Sequence, residues 1–276
     1  MSSLKDIKIN IESHRSLKGL VEVYEEMAAN TMRQIRVAIL STRDYYSGLS
    51  SLSLEVSHDL EVIPTNTTTS TALVFLSAGE SMYGDIIDKI CLSFLPVVKQ
   101  NPQADVFVIG QVGLNLMRAL APKVTITEIP PNADVSKYLY QYDQVSIFFG
   151  QFHSLARQEP ISRQLSTNKL TSSPPTLDQN ELQLKYLYEP TIKKIALTFA
   201  QEIFSSLFEQ SSQENELAKN ASRLIHLDQA LNTIDHRLER DLSRYHSSHK
   251  RIFAKRQHTQ IASYKAAQNL RRSLYV

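Results

Sequence analysis

The residue types that could do chemistry are present but poorly spaced for it. Gly110 and Gly113 form a G-x-x-G, not the G-x-G-x-x-G or G-x-x-x-x-G-K-[ST] order that cradles phosphate at a helix N-terminus. No dinucleotide site is signalled. Ser77 and Ser81 flank a glycine turn but lack the G-x-S-x-G elbow of a hydrolase nucleophile. His246 and His249 share a helix face, yet no third ligand stands near them in sequence, so solvated positions are the simpler reading. Cys91 lies in the apolar run KICLSFL and reads as a small buried side chain. Glu25 and Glu26 sit in a helical stretch, not in a cleft. The expectation is a chain with no catalytic residue, no cofactor, no metal and no small-molecule ligand.

One charged feature remains. Between Arg237 and Arg272 the basic residues include Arg244, His246, His249, Lys250, Arg251, Lys255, Arg256, Lys265, Arg271 and Arg272, against only Glu239 and Asp241. A solvated coiled-coil face, a phosphate-binding surface and a contact with acidic loops of a surrounding protein ring all fit this run. Composition leaves the three open. The whole chain carries a formal charge of +2 and is 42% hydrophobic, enough for a moderate core. It has no apolar run long enough to span a bilayer, and its opening MSSLKDIKIN lacks the apolar core of a signal peptide. A single cysteine excludes an internal disulfide and fits a reducing compartment. A soluble intracellular chain is expected.

The elements that must position these residues begin at the two ends. After Gly150 there is no glycine and after Pro190 no proline, so nothing in the last third must break a helix. Leu217, Leu224, Leu231, Leu238, Tyr245 and Ile252 recur at heptad spacing, with Leu227 and Ile234 between them. A helix of roughly 80 residues is about 120 Å long, so part of it should project from the body or enter a partner. Residues 3 to 54 contain no proline. Leu17, Leu20, Tyr24, Met27, Thr31, Ile35, Ala38, Tyr45, Leu49 and Leu52 fall mostly on three- and four-residue steps along one helix face. Ser2 or Ser3 would cap this helix, and Asp6 would suit its first turn. Two striped helices at opposite ends of one chain predict an antiparallel coiled coil.

Between them the texture alternates. Residues 72–77, 105–110, 124–129 and 145–152 read as strands, and 84–99, 112–120 and 134–142 as helices. The segment 162–167 would add an antiparallel strand, and 168–181 a surface loop. Such alternation implies a mostly parallel sheet with helical crossovers. The predicted fold is thus a long antiparallel coiled coil of N- and C-terminal helices with an inserted α/β, Rossmann-like domain. Its boundaries are placed at 1–56, 57–185 and 186–276.

Several stretches resemble the gamma subunit of rotary F-type ATP synthases. Lys5, Asp6, Ile7, Ser13, Ala28, Ala29, Met32 and Arg33 fall on that family's K-D-I, Ser, M-x-x-A and M-R positions without a gap. Arg43 and Tyr45 match its R-P-Y, with Asp44 in place of the proline. Ser77, Gly79 and Gly84 are similar to its S-D-R-G-L-C-G turn at slightly altered spacing. Lys185 to Pro190 (KYLYEP) resembles its Y-x-Y-E-P, and Arg223, Leu224, Leu227 and Ala230 its A-R-M-x-A-M-x-x-A. The departures are specific. Glu22 and Tyr24 stand where the family places a lysine and a methionine. The family's R-Q-x-x-I-T falls on His249 and Lys250 without a gap, or on Arg256 and Gln257 after a one-heptad insertion. The ending KAAQNLRRSLYV lacks the family's glycine.

The resemblance implies a non-catalytic central-stalk rotor that couples ion-driven rotation to ATP synthesis or hydrolysis. Its implied partners are a hexamer of alpha and beta catalytic subunits, an epsilon-like subunit and a membrane c-ring. Its implied place is peripheral, on the cytoplasmic face of a bacterial inner membrane or an equivalent coupling membrane. The implied hexamer contacts are Glu22, Tyr24, Glu25, Met27, His249, Lys250, Arg256, Gln257, Tyr264 and Leu270. Two other readings stand beside it: the rotor of an F-like ATPase no longer coupled to proton flow, and a basic coiled coil binding nucleic acid through residues 237–272.

Overall fold

A computed structural model describes residues 4–58, 70–130, 133, 135–166 and 192–273. Helix α1 runs Leu4–His58 and helix α5 runs Ile192–Ser273. Between them lie β1 (Thr71–Leu76), α2 (Ile86–Gln100), β2 (Asp105–Ile109), α3 (Gln111–Leu120), β3 (Ile126–Ile129), α4 (Val135–Leu139), β4 (Gln144–Ser154) and β5 (Arg157–Ser166). The five strands form one sheet in the order β3-β2-β1-β4-β5. The first four are parallel, and β5 returns antiparallel beside β4. The predicted caps Ser2 and Ser3, the loop 168–181, and Lys185 to Pro190 lie outside the described residues.

The chain divides into two compact units, residues 27–226 and a second made of residues 1–26 with 227–276. In the larger unit β1, β2 and the first half of β4 are near-continuous apolar runs because both sheet faces are covered there. On one face α2 and α3 bring Ile86, Ile90, Phe94, Leu114 and Met117 against Leu73, Phe75, Val106 and Val108. On the other, Val74, Phe107, Ile129, Ile147 and Phe149 pack against Leu139 of α4 and Phe204 of α5. The early part of α5 therefore supplies most of the second helical layer. Pro96 sits within α2. The antiparallel strand starts at Arg157, earlier than the sequence reading placed it, and contains Pro160 opposite Gly150. Proline is tolerated there because β5 is an edge strand whose outer side needs no donor. The Tyr142 hydroxyl donates to Asp105 at 2.7 Å, and burial, followed by that bond, raises its pKa to about 12.

Both units contain a stretch of helix pairing, antiparallel in each. Within 27–226, Met32, Ile35 and Ile39 of α1 meet Leu217, Ala221 and Leu224 of α5, with Phe152 of β4 against them. Gln213 donates to the Thr42 hydroxyl at 3.0 Å, and Arg43 approaches Glu214 at 3.9 Å. Within the second unit, Val21 packs on Leu227, Ala230, Leu231 and Ile234. Lys18 donates to Asp235 at 2.7 Å, and that bond holds its ammonium above the ordinary lysine range. His14 and Arg244 both lie near Asp241, at 3.5 and 3.6 Å.

The seam differs from the sequence reading in one respect. Among the described side chains of α1 the buried ones are Ile7, Ile11, Val21, Ala28, Met32, Ile39 and Leu49, all in one three-four register. Of the stripe read from sequence, Leu49 is buried and Ile35 half-buried, but Leu17, Leu20, Tyr24, Met27 and Tyr45 are exposed. α1 carries two apolar stripes, and the one with the smaller, β-branched residues faces α5. The heptad on α5 also fades. Leu217, Leu227 and Ile234 are buried, whereas Ile252 is 42% exposed, because the register carries α5 past the described start of α1.

Candidate functional site

In a doubly wound sheet the ligand crevice opens beyond the carboxyl ends of the strands where the order reverses, here β1 and β4. This chain fills that place with its own α5. The Asn215 side chain accepts from the Gly150 amide of β4 at 3.0 Å and donates to the Leu76 carbonyl of β1 at 3.4 Å. The Lys219 ammonium donates to the Ser77 carbonyl at 3.2 Å and is almost wholly buried. A Cβ added to Gly150 would lie 3.1 Å from Cβ of Ala218, so the helix rests directly on the strand.

The G-x-x-G has an equally internal role. Gly110, at φ 108°, begins α3, and a Cβ there would meet the Ala78 backbone at 2.7 Å. A Cβ on Gly113 would lie 2.4 Å from Cβ of Ser77. The Val112 amide, which a phosphate would otherwise use, donates to the Ala78 carbonyl at 3.0 Å. Both glycines let the β1 loop and α3 approach each other. Among the described residues, no group of three or more His, Cys, Asp and Glu is placed to hold a metal, and Cys91 is buried with its thiol pushed up by burial.

What the chain presents outward is apolar surface on its long helices. On α1, Leu17, Leu20, Val23 and Tyr24 are exposed in one unit, and Met27, Val37, Leu40 and Tyr45 in the other. On α5, Ile252, Phe253, Ile261 and Tyr264 are exposed. Residues 251–266 are exposed throughout. Exposed apolar side chains repeated along a helix mark a surface that another protein covers.

Of the residues singled out from sequence, those whose side chains are described fall on this outer surface with one exception. Glu22, Tyr24 and Met27 are exposed, but Glu25 is half-buried on the seam side of α1. His249 is exposed and stacks on Tyr245, with ring centroids 6.1 Å apart. Lys250, Arg256, Gln257 and Tyr264 are exposed along α5, and Gln257, Ile261 and Tyr264 share one helix face. The Leu270 side chain lies outside the described residues. Sequence reading assigned Leu17 and Leu20 to the seam instead of the outer face. A helix apolar on two sides signals that both sides are covered, and that signal was available. The buried polar residues of α5 gave no such signal, since Glu214, Asn215 and Lys219 read as ordinary helix surface.

The comparisons with known proteins bear on the same architecture. The family model described as ATP synthase matches residues 3–248. The ATP synthase gamma chain of Buchnera aphidicola subsp. Acyrthosiphon pisum (strain Tuc7) is 24% identical over 266 residues, covering 87% of this chain and 89% of that one. The ATP synthase gamma chain of Ehrlichia canis (strain Jake) is 20% identical over 249 residues, covering 83% and 86%. Among solved structures, a chain of the Euglena gracilis mitochondrial ATP synthase rotor superposes with TM-score 0.60 at 15% identity, covering 91% of this chain and 98% of that one. One from the central stalk and c-ring of Tetrahymena thermophila mitochondrial ATP synthase gives 0.54 at 15% identity, covering 76% and 99%. Those likenesses show the fold, and the family match extends over nearly the whole sequence. With two long terminal helices, a sheet whose ligand crevice is filled from within and a match over residues 3–248, the chain belongs to the ATP synthase gamma-chain family.

Proposed function

We propose that this chain is the central-stalk rotor of a rotary F-type ATP synthase, a non-catalytic subunit turning inside a hexamer of alpha and beta subunits. The observation that carries this reading is the double stripe of α1. One stripe is buried against α5, while Leu20, Met27 and Leu40 face outward at 58%, 56% and 62% exposure. A helix pair destined for water keeps its outer face polar, whereas one turning inside a protein ring needs a smooth, weakly adhesive apolar bearing. The family membership and the names of the gamma-chain relatives support reading that ring as the catalytic subunits of an ATP synthase.

In this reading the ring's catalytic sites take different conformations because the shaft is not symmetric about its axis, and ATP chemistry is coupled to rotation by shape. The α/β body would meet an epsilon-like subunit and the membrane c-ring. The chain would lie peripherally at the coupling membrane, on its cytoplasmic face in a bacterium, and no helix among the described residues is long and apolar enough to cross the bilayer. Glu22, Tyr24, Glu25, Met27, His249, Lys250, Arg256, Gln257, Tyr264 and Leu270 are proposed as hexamer contacts. The basic ones would face acidic loops of the ring.

Lys250 and Arg256 test the contact assignment. Both are exposed on α5, so replacing them with alanine should leave folding intact. The complex carrying Lys250→Ala and Arg256→Ala is expected to hydrolyse ATP with reduced torque, most visibly at low ionic strength, where the charges are least screened. Torque equal to that of the unaltered complex at every salt concentration would remove these two residues from the contact.

A further inference from the structure

We infer that a band of polar side chains on α5, from Ser211 to Arg223, is the junction through which torque passes between the α/β body and the helix pair. The inference rests on the rotor reading above and concerns only residues 27–226, which form one compact unit.

The band consists of directional bonds from one helix face. Ser211 accepts from Arg163 of β5 at 2.9 Å. Glu214 pairs with the same Arg163 at 3.3 Å and with Arg43 of α1 at 3.9 Å, so one carboxylate touches the sheet edge and the partner helix together. Asn215 spans β1 and β4 through Leu76 and Gly150. Lys219 reaches the Ser77 carbonyl and lies 5.1 Å from the centre of the Tyr83 ring. Arg223 lies 3.9 Å from the same ring centre and donates to the carbonyls of Ser81 and Met82 at 3.3 and 3.2 Å. Met82 holds φ at 78°, a conformation that costs a non-glycine residue of order 1 kcal/mol or more and persists only where its surroundings impose it.

Stability does not account for this band. Burying a lysine, a glutamate and an asparagine costs desolvation that largely offsets the bonds they make, so the net gain in stability is small. Directional bonds supply instead a fixed register. The apolar part of the same contact, Phe204, Leu207 and Phe208 on the sheet face, resists separation but has no angular address. A helix held by such contacts alone can roll or slide by one side chain under load. The bonds at Asn215, Lys219 and Arg223 tie successive turns of α5 to backbone atoms of β1, β4 and the loop after β1, and so prevent that slip. These are positioning residues for rotary coupling and touch no substrate.

The test uses the complex purified from its native cells, with a bead attached to the body through Lys99→Cys, an exposed position in α2. Asn215→Leu with Lys219→Met removes the tethers to β1 and β4 without a large change of volume. The double variant leaves the Gly150 amide and the Leu76 and Ser77 carbonyls without these partners, so it is expected to melt somewhat lower, yet to assemble and hydrolyse ATP at the unaltered rate while losing bead rotation against viscous drag. Phe94→Leu, which loosens the core of the same unit without touching the tethers, is the control and should keep bead rotation. Lys219→Met alone carries the same test if the double variant does not assemble. Full torque in the tether variants, or an equal loss of torque in Phe94→Leu, overturns the junction. Failure of the unaltered complex to turn the bead overturns the rotor reading itself.

Discussion

Replacing Ala221 with aspartate is expected to destabilise the larger unit by about 3–5 kcal/mol, the cost of leaving an uncompensated charge in a buried contact. Ala221 is fully buried where Met32 and Ile39 of α1 meet Leu217 of α5. Aspartate there finds apolar side chains on the facing helix. The added volume also forces α1 and α5 apart. Leu20→Asp is the control, because Leu20 is 58% exposed on the outer stripe and its replacement should change stability by no more than about 0.5 kcal/mol. Urea unfolding of the full chain, followed by circular dichroism, distinguishes the two. Equal losses would mean that the seam does not run along Met32 and Ile39.

Phe94→Ala is expected to cost about 3–5 kcal/mol and to lower the cooperativity with which the α/β body unfolds. The ring of Phe94 is fully buried and forms the centre of an aromatic group, 5.5 Å from Phe75 and 5.0 Å from Phe148 in an edge-on arrangement. Its removal leaves a cavity between α2 and strands β1 and β4, lined by side chains already in close packing. Leu92 lies two residues away on the same helix but is 65% exposed, so Leu92→Ala should be nearly neutral. Thermal unfolding of both variants checks this. A Phe94→Ala chain that melts with Leu92→Ala would place the core of the body elsewhere.

The architecture was largely legible because its two periodicities differ so clearly. Heptad-spaced Leu217, Leu224 and Leu231 with no proline or glycine admit one long helix, and the runs ALVFL and DVFVI admit buried strands. Two features were less so. Which stripe of α1 faces α5 depends on the partner helix, and Leu17, Leu20 and Met27 fit heptad spacing as well as Val21, Ala28 and Met32 do. The polar band of α5 was invisible for a related reason. Lys219 and Asn215 are soluble-surface residue types, and only the approach of β1 and β4 makes them internal. The candidate contact residues came from family resemblance, not from periodicity, and they lie mostly on exposed helix surface. Glu25, on the seam side, is the one whose placement follows packing within the chain.

The proposed rotor requires a ring of catalytic ATPase subunits around this helix pair. Affinity purification of the tagged chain from native cell extract, with subunit masses and stoichiometry measured on the intact complex, tests it most directly. One copy of this chain per ring of three alpha and three beta subunits, together with membrane-ring protein, is expected. A ring without the membrane component would mark a motor uncoupled from ion flow. Recovery of the chain alone, or with nucleic acid in place of the ATPase ring, would rule out the rotor.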